Sequence, residues 1–291
     1  MALGQARYAE INRMLSETLK KNRCLIAVHR GSWGGNITQN TVGAYKAAFG
    51  MGADMVEADV NSTTDGVLYA FHDGHEPDVF GVNKCIKQMT SAEVESLHPL
   101  TACRQPSDTR ISRLDEILDY LPEGKLLNID RAWDIFPQLV QVLDRHPNAV
   151  KQVVIKAPLK AKDAIAVLND HPVKYMFMPI CYTMQDVQDA LAFPELNVVG
   201  CEVIAFDRQS ELFADESIAA IHAKNLFVWV NAIVLGNIGV KPLYGELDDD
   251  VSILKDPALG WGALFDKKID IIQTDWPALL YSYRRKKLGV E

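Results

Sequence analysis

The chain has 291 residues, of which 48% are hydrophobic, and it carries a formal net charge of −8. This composition is typical of a globular protein with a sizeable core, and the length is within the range of one large α/β domain. The acidic balance argues against general nucleic-acid binding, which depends on clustered lysine and arginine. No apolar run approaches the ~18 residues of a membrane span, so no integral membrane segment is expected.

The N-terminal segment MALGQARYAEINRMLSETLKKN has the pattern of an amphipathic helix and lacks the apolar core of a signal peptide. We expect a helical extension over residues 1–22 and a single domain over residues 23–291. The five cysteines show neither close pairing nor metal-ligand spacing, which favours a reducing compartment. A cytoplasmic protein is the simplest interpretation, and the oligomeric state is left unassigned.

From residue 25 onward, short β-rich runs alternate with helix-like segments. Strands are predicted at residues 25–28, 55–60, 126–129, 153–155, 175–179, 198–203, 226–230 and 269–272. Helices are predicted at residues 42–50, 91–97, 113–121, 135–145, 161–169, 184–193, 210–224 and 277–286. Eight strands separated by helices are the pattern of a (β/α)8 TIM barrel, an α/β fold.

Several segments fall outside this alternation. A ninth short strand, residues 67–71, is predicted as an extra element, and the irregular residues 74–88 are interpreted as a loop over the barrel mouth. Residues 232–259 are also irregular and contain Asp248-Asp249-Asp250, predicted as a helix N-terminus with a calcium loop as the alternative. The basic run Arg284–Lys287 is predicted as the solvated last turn of a helix.

Polar residues stand at the carboxyl ends of the predicted strands, where the active sites of TIM barrels lie. Glu57 and Asp59 are two residues apart on one strand, so their side chains point the same way. Two carboxylates with imidazoles nearby can hold a hard cation and move protons, which favours metal-assisted hydrolysis. The strand-end residues are His29, Glu57, Asp59, His72, Asp130, Lys156 and Glu202.

The segments LIAVHRG, QNTVGAYKAAFGMGADMVEADVNSTTDGVLYAFHD and IDIIQTDWPALL resemble the glycerophosphodiester phosphodiesterase family. That family typically shows His-Arg-Gly, Pro-Glu-Asn-Thr, Glu-x-Asp, Thr-x-Asp-Gly, His-Asp and Thr-Asp-x-Pro, in that order. The likeness extends over nearly the whole chain. It implies a TIM-barrel enzyme of lipid metabolism, which hydrolyses a glycerophosphodiester or a related small phosphodiester to a phosphomonoester and an alcohol.

The resemblance also implies roles for individual residues. Glu57 and Asp59 match two carboxylates that hold one divalent cation, Mg²⁺ or Ca²⁺, and Asp130 stands where the family has a third. His29 and His72 match the acid/base pair, and which of them is the acid is left open.

Further residues are expected to contact the substrate. Arg30 is expected to hold the phosphate, and Trp229 to pack against the carbon skeleton. Glu202 is expected either to bind substrate hydroxyls or to pair with a lysine. Among their neighbours, Asn40 is predicted as a helix-entry cap, and His75 as structural or exposed.

Three departures from the family pattern affect these expectations. Thr38-Gln39 stands in place of Pro-Glu, and Asp130-Arg131-Ala132 replaces the usual Glu-x-Lys. We expect Lys156, on the next strand, to supply the positive charge that is lost there. Residues 75–80 replace the usual Arg-Thr-Thr, and Trp33 adds a ring to another mouth loop. Because such loops set substrate choice, an alcohol other than glycerol is an open alternative.

Two other functions stay open at this point. One is a lyase of the sphingomyelinase D type, which would stop at a cyclic phosphate. The other is a non-catalytic barrel that binds a phosphorylated ligand or partner, an alternative raised by Gln39 and Ala132.

Overall fold

The structure is a computed structural model that describes residues 3–236 and 241–290. Within these residues the strands are β1 (Leu25–Val28), β2 (Met55–Ser62), β3 (Leu68–Ala70), β4 (Leu126–Asp130), β5 (Val153–Pro158), β6 (Met176–Cys181), β7 (Asn197–Val198), β8 (Gly200–Val203), β9 (Phe227–Asn231) and β10 (Ile271–Thr274). The neighbour order is β1-β10-β9-β8-β6-β5-β4-β2, and β1 also pairs with β2, which closes the sheet.

The barrel strands pair in parallel, whereas β3 pairs antiparallel with the extended end of β2. The short strand β7 pairs with β6 and precedes β8, so the two together occupy one position in the barrel. The predicted TIM barrel with one extra strand is therefore confirmed.

The helices of the described residues are α1 (Arg13–Asn22), α2 (Val42–Gly50), α3 (Glu76–Val79), α4 (Ser91–Glu95), α5 (Leu114–Tyr120), α6 (Phe136–Leu143), α7 (Ala149–Gln152), α8 (Lys162–Asp170), α9 (Met184–Leu191), α10 (Asp215–His222), α11 (Asp249–Leu254), α12 (Ala263–Asp266) and α13 (Pro277–Leu288). In this part of the chain, none of them combines the length and apolar character needed to cross a membrane.

Two segments differ from the expectation, one predicted as a loop and one predicted as a continuous helix. Residues 74–88 contain α3, because the buried Glu76 carboxylate accepts hydrogen bonds from the Gly74 and Ile86 amides and fastens the segment. The predicted helix 210–224 is divided, because Ala214 is extended between a 3-10 turn and α10. Residues 1, 2 and 291, and residues 237–240 of the predicted irregular stretch, lie outside the described residues.

The alternation along the strands separates two layers of core. Met55, Leu126, Phe227 and other inward residues fill the barrel interior, whereas the intervening residues pack under the helices. Leu15 of α1 is fully buried and belongs to the same inner cluster. Since this cluster lies at the amino ends of the strands, the N-terminal helix closes the end of the barrel opposite the strand-end polar residues.

The basic C-terminal run is not wholly solvated, and the prediction is wrong for Arg284. Its side chain is 1% exposed, forms an ion pair with Asp54 and donates to the Cys24 carbonyl. Asp54 also accepts from the Ile26 amide. A buried carboxylate requires such a partner, so Arg284 ties α13 to the start of the barrel.

We predict that Leu15→Ala lowers the free energy of unfolding by about 2–5 kcal/mol, because it leaves a cavity beneath the barrel. Urea denaturation measures this effect. Leu254→Ala is the control, since that leucine is 76% exposed and its truncation should change stability by less than about 0.5 kcal/mol. Equal stability of both variants would contradict a role of residues 1–22 in the folding unit.

Candidate active site

Three carboxylates meet at the carboxyl end of the barrel. β2 and β4 pair in a register that sets Asp59 opposite Asp130, and Glu57 points to the same face as Asp59. One oxygen from each of the three residues lies within 4.8 Å of the others, and Glu57 and Asp59 are 1% and 2% exposed. Carboxylate oxygens suit hard divalent cations, so the residues present fit a metal ion.

Arg30 is held against these carboxylates by the backbone after β1. Its φ of 56° lies in the left-handed region, and its amide donates to Glu57 Oε2 at 3.0 Å. Its Nη1 donates to Gln39 Oε1 at 2.8 Å, so the departure at position 39 preserves a contact with the arginine. The Arg30 Nε lies 2.9 Å from Asp59 Oδ2, close enough for an ion pair although not aligned for a hydrogen bond.

Asn40 binds the Asp59 carboxylate and is not the helix cap that the sequence predicts. The cap of α2 is Thr41, whose hydroxyl accepts from the Ala44 amide. Asn40 has a φ of 55°, and its Nδ2 donates to Asp59 Oδ2 at 3.0 Å while its Oδ1 accepts from the Tyr45 hydroxyl. The left-handed turn therefore directs the amide inward, where it fixes Asp59.

Lys156 lies between two carboxylates. Its Nζ is 2.7 Å from Asp130 Oδ2 and 2.9 Å from Glu202 Oε2, and the residue is 3% exposed. Burial alone would lower the pKa of Lys156, but Asp130 and Glu202 outweigh that effect and hold its pKa above the usual value. The lysine is therefore charged, and it pairs with Glu202, one of the two roles expected for that glutamate.

Trp229 lies in the barrel interior below Lys156. It is fully buried, and the Lys156 Nζ is 5.8 Å from its ring centroid. Its indole N–H donates to Asn231 Oδ1, and Asn231 Nδ2 donates to Glu202 Oε1 at 2.5 Å. Asn231, which the sequence analysis did not single out, thus joins the tryptophan to the charged cluster.

The negative charge of the cluster is only partly compensated. Burial raises the pKa of Glu57 well above its usual range, and the charges of Asp59 and Asp130 raise it further. Lys156 and Arg30 act in the opposite direction. A cation bound by these oxygens would relieve the same repulsion, which supports the metal interpretation.

His29 is oriented by a carboxylate from the other end of the chain. Its Nδ1 lies 3.1 Å from Asp275 Oδ1, at the end of β10. Asp275 is in turn held by Asp249, whose carboxylate accepts hydrogen bonds from the Asp275 amide and from the Thr274 hydroxyl. The Thr-Asp-x-Pro motif therefore positions His29, a role that the sequence analysis did not assign.

Asp249 belongs to the acidic run at the start of α11. The predicted helix N-terminus is confirmed, since Asp248 is the N-cap and accepts from the Val251 amide. Asp249 instead points inward, is 2% exposed and also accepts from the Trp261 indole N–H. Adjacent residues of one acidic run thus cap a helix and support the active site.

His72 is held by the chain that follows it. Its Nδ1 is 2.7 Å from the Asp73 backbone oxygen, so a proton on Nδ1 is donated to that carbonyl. The Asp73 carboxylate points away and binds Arg131 and Lys87. Burial lowers the pKa of His72, and Arg30 adds to this effect while Asp59 opposes it.

His75, predicted from the sequence as structural or exposed, lies next to His72. Its ring centroid lies 4.5 Å from that of His72, in an edge-on arrangement. Burial lowers the pKa of His75, with further contributions from Arg30 and His72. Because α3 folds this segment back, a third imidazole lies beside His72.

The buried Asp249 carboxyl gives folding stability a predictable pH dependence. Burial raises its pKa from 3.8 to about 7, although the donors around it oppose the shift. Because the folded state favours the protonated acid, this contribution is full below about pH 4 and is lost as the pH rises through about 7. The asparagine of Asp249→Asn does not titrate, so the difference in free energy of unfolding between wild type and this variant should shrink as the pH rises. Between about pH 4 and pH 8 the decrease should reach up to about 4 kcal/mol.

Urea denaturation of both proteins at several pH values between about 4 and 8 measures this difference. Asp250→Asn is the matched control, because Asp250 is the neighbouring carboxylate on α11 and is exposed, so it lacks the burial that produces the effect at Asp249. A pH-independent cost of Asp249→Asn would contradict the assignment.

Comparison with known proteins places these residues in a family. The sequence model of the glycerophosphoryl diester phosphodiesterase family matches residues 29–227, and that of a domain of unknown function matches residues 177–284. Lysophospholipase D GDPD1 of Rattus norvegicus is 32% identical over 109 residues, which are 35% of this chain and 34% of that enzyme. The match thus spans about a third of that relative's length.

Solved structures show the same fold. A glycerophosphoryl diester phosphodiesterase of Parabacteroides distasonis has a TM-score of 0.71 at 17% identity, over 91% of this chain and 87% of that chain. A phosphodiesterase of Oleispira antarctica, in complex with the product sn-glycerol-3-phosphate, has a TM-score of 0.66 at 16% identity, over 89% and 95% of the two chains.

The family match begins at His29 and includes Glu57, Asp59, His72 and Asp130, whereas Asp249 and Asp275 lie beyond its end. It covers well over half of the sequence and agrees with the barrel fold. The chain therefore belongs to the glycerophosphoryl diester phosphodiesterase family.

Proposed function

We propose that the protein hydrolyses a glycerophosphodiester, or a related small phosphodiester, to a phosphomonoester and an alcohol. The observation that carries this proposal is the meeting of three carboxylates, Arg30 and two oriented imidazoles at the carboxyl end of a barrel of this family. Oxygen ligands, a fixed guanidinium and two proton-transfer groups are what phosphodiester hydrolysis requires.

Glu57, Asp59 and Asp130 would hold one divalent cation, Mg²⁺ or Ca²⁺. When bound, this ion neutralises a phosphate oxygen and stabilises the charge that develops during hydrolysis. Arg30, with its amide on Glu57 and its guanidinium beside Asp59, is proposed to hold the phosphate next to these carboxylates.

The hydrogen bonds of the histidines support different roles for them. Donation from His72 Nδ1 to the Asp73 carbonyl leaves Nε2 as an acceptor, and the lowered pKa of His72 keeps the ring neutral near pH 7. We assign His72 as the base that takes a proton from the attacking water. The Asp275 carboxylate fixes His29 through its Nδ1, and we assign His29 as the acid that protonates the leaving alkoxide.

Lys156, Glu202 and Trp229 are proposed to act beneath the substrate. Lys156 holds Asp130 by its charge, which compensates the shorter carboxylate and the lysine missing from the Glu-x-Lys pattern. Glu202 keeps that lysine in place, and Trp229 forms the apolar floor under it. Their contribution to substrate binding is then mainly electrostatic and steric support.

We predict that purified protein releases glycerol 3-phosphate from glycerophosphodiesters only with a divalent cation. Chelation should abolish the release, and His29→Ala and His72→Ala should each lower kcat by about 10²–10⁴-fold, because proton transfer is lost. Phosphorus NMR measures the product and separates a monoester from a cyclic phosphate.

His171→Ala is a matched control, since His171 pairs with Asp144 on the helical shell and should leave the rate unchanged. Release that persists in chelator, or in both active-site variants, would contradict the proposed mechanism. A cyclic product would favour the lyase alternative.

A further inference from the structure

A cavity of about 400 Å³ opens directly beside the proposed reaction centre. Arg30, Gln39 and His75 form its inner end. Its outer walls come from the segment after β1, from α3 and from residues 100–104. The cavity therefore leads away from the phosphate position between three loops of the barrel mouth.

Backbone hydrogen bonds join these three segments into one wall. Gly34 and Ile37 bond each other in both directions at 3.0 Å, and the Ala102 amide donates to the Gly35 carbonyl at 2.8 Å. The Leu100 amide donates to the Val79 carbonyl at 2.6 Å. The cavity is thus a built feature of the fold, of the kind that binds small molecules.

The walls away from the phosphate carry several large apolar side chains. Asp78 and Arg104 also line them, and the Arg104 guanidinium donates to the Asp78 and Pro77 carbonyls. Trp33 is 55% exposed and Ile37 is 43% exposed, and the buried Val79 and half-buried Leu100 complete this side. Large apolar side chains left exposed next to a polar reaction centre indicate contact with a ligand. An apolar group bound against them would remove their surface from water, which stabilises the complex through the hydrophobic effect.

We propose that this cavity receives one ester arm of the phosphodiester and that it selects an apolar arm, such as an alkyl or acyl-bearing alcohol, over glycerol. The inference rests on the proposed function, because the phosphate between Arg30 and the carboxylates sets where the arm begins. His75 lies beside His72 at the inner end of the cavity. Trp33 and Ile37 are the specificity-determining residues.

The size of the cavity supports a long arm. At ~30 Å³ for each water in the liquid, its volume equals that of about thirteen waters. A three-carbon alcohol would fill only part of it, whereas a chain of several methylenes would fill more of it. Preference should therefore rise with chain length until the cavity is filled.

The test uses glycerophospho-n-alkyl esters from methyl to hexyl, which share one phosphate and one product. We expect kcat/KM to rise by about twofold or more per methylene. Trp33→Ala and Ile37→Ala should each lower the hexyl-to-methyl ratio by about fivefold, because the apolar wall is lost. Ile253→Ala, an isoleucine of similar exposure on α11, should keep the wild-type ratio. A ratio independent of chain length, or equal in wild type and both cavity variants, would overturn the proposal.

Binding of n-alkyl phosphates by calorimetry separates this inference from the proposed function. If no ester is hydrolysed, the proposed function fails, while tighter binding of hexyl than of methyl phosphate, weakened by Trp33→Ala, would still support the cavity. Equal binding of the two phosphates would overturn the inference even where the esters are hydrolysed.

Discussion

The site is governed by the negative charge that four carboxylates concentrate at one end of the barrel and that the neighbouring cations compensate only in part. The four carboxylates belong to Glu57, Asp59, Asp130 and Glu202. Among the described residues, the cations that pair with them are Arg30 and Lys156. Carboxylates in a poorly hydrated interior cost much free energy unless they are paired. A divalent cation would balance the charge, so the arrangement itself argues for metal-dependent chemistry.

The barrel makes this concentration of charge possible. Parallel strands in register bring Asp59 opposite Asp130, and the closed sheet with its apolar interior keeps the side chains from moving apart. Two left-handed residues, Arg30 and Asn40, direct their groups onto the carboxylates. Such backbone conformations cost roughly 1–2 kcal/mol each outside glycine, and hydrogen bonds to Glu57 and Asp59 offset them.

Most of the fold and much of the site could be predicted from the sequence, because both follow from local pattern. Apolar runs with β-branched residues gave the strands, and polar residues at their ends pointed to one rim of the barrel. The roles of Asn40, Asp249 and Arg284 could not be predicted in this way. Each depends on a partner distant in the chain or on a backbone turn, and residue type alone favours a helix cap, a helix start and a solvated end.

The positions of His75 and Trp229 also depend on parts of the fold outside their own segments. His75 looks like a loop residue until α3 folds it against His72, and the anchor of that turn is the buried Glu76. Trp229 stands near the end of the predicted strand 226–230, as a substrate-contacting residue would. In the structure it lies in the middle of β9, and the pleat directs it into the barrel interior. The direction of a side chain on a barrel strand depends on the register of the closed sheet. That register cannot be read from one segment of the sequence, because it is set by pairing with neighbouring strands.

Calorimetric titration of the chelator-treated protein with Mg²⁺ or Ca²⁺ measures whether the three carboxylates bind a metal ion. We expect one ion bound per chain, with binding lost in Asp59→Asn and retained in Asp119→Asn, which replaces an exposed carboxylate of the helical shell. Absence of binding at millimolar ion, or equal binding by both variants, would show that these carboxylates do not form the metal site.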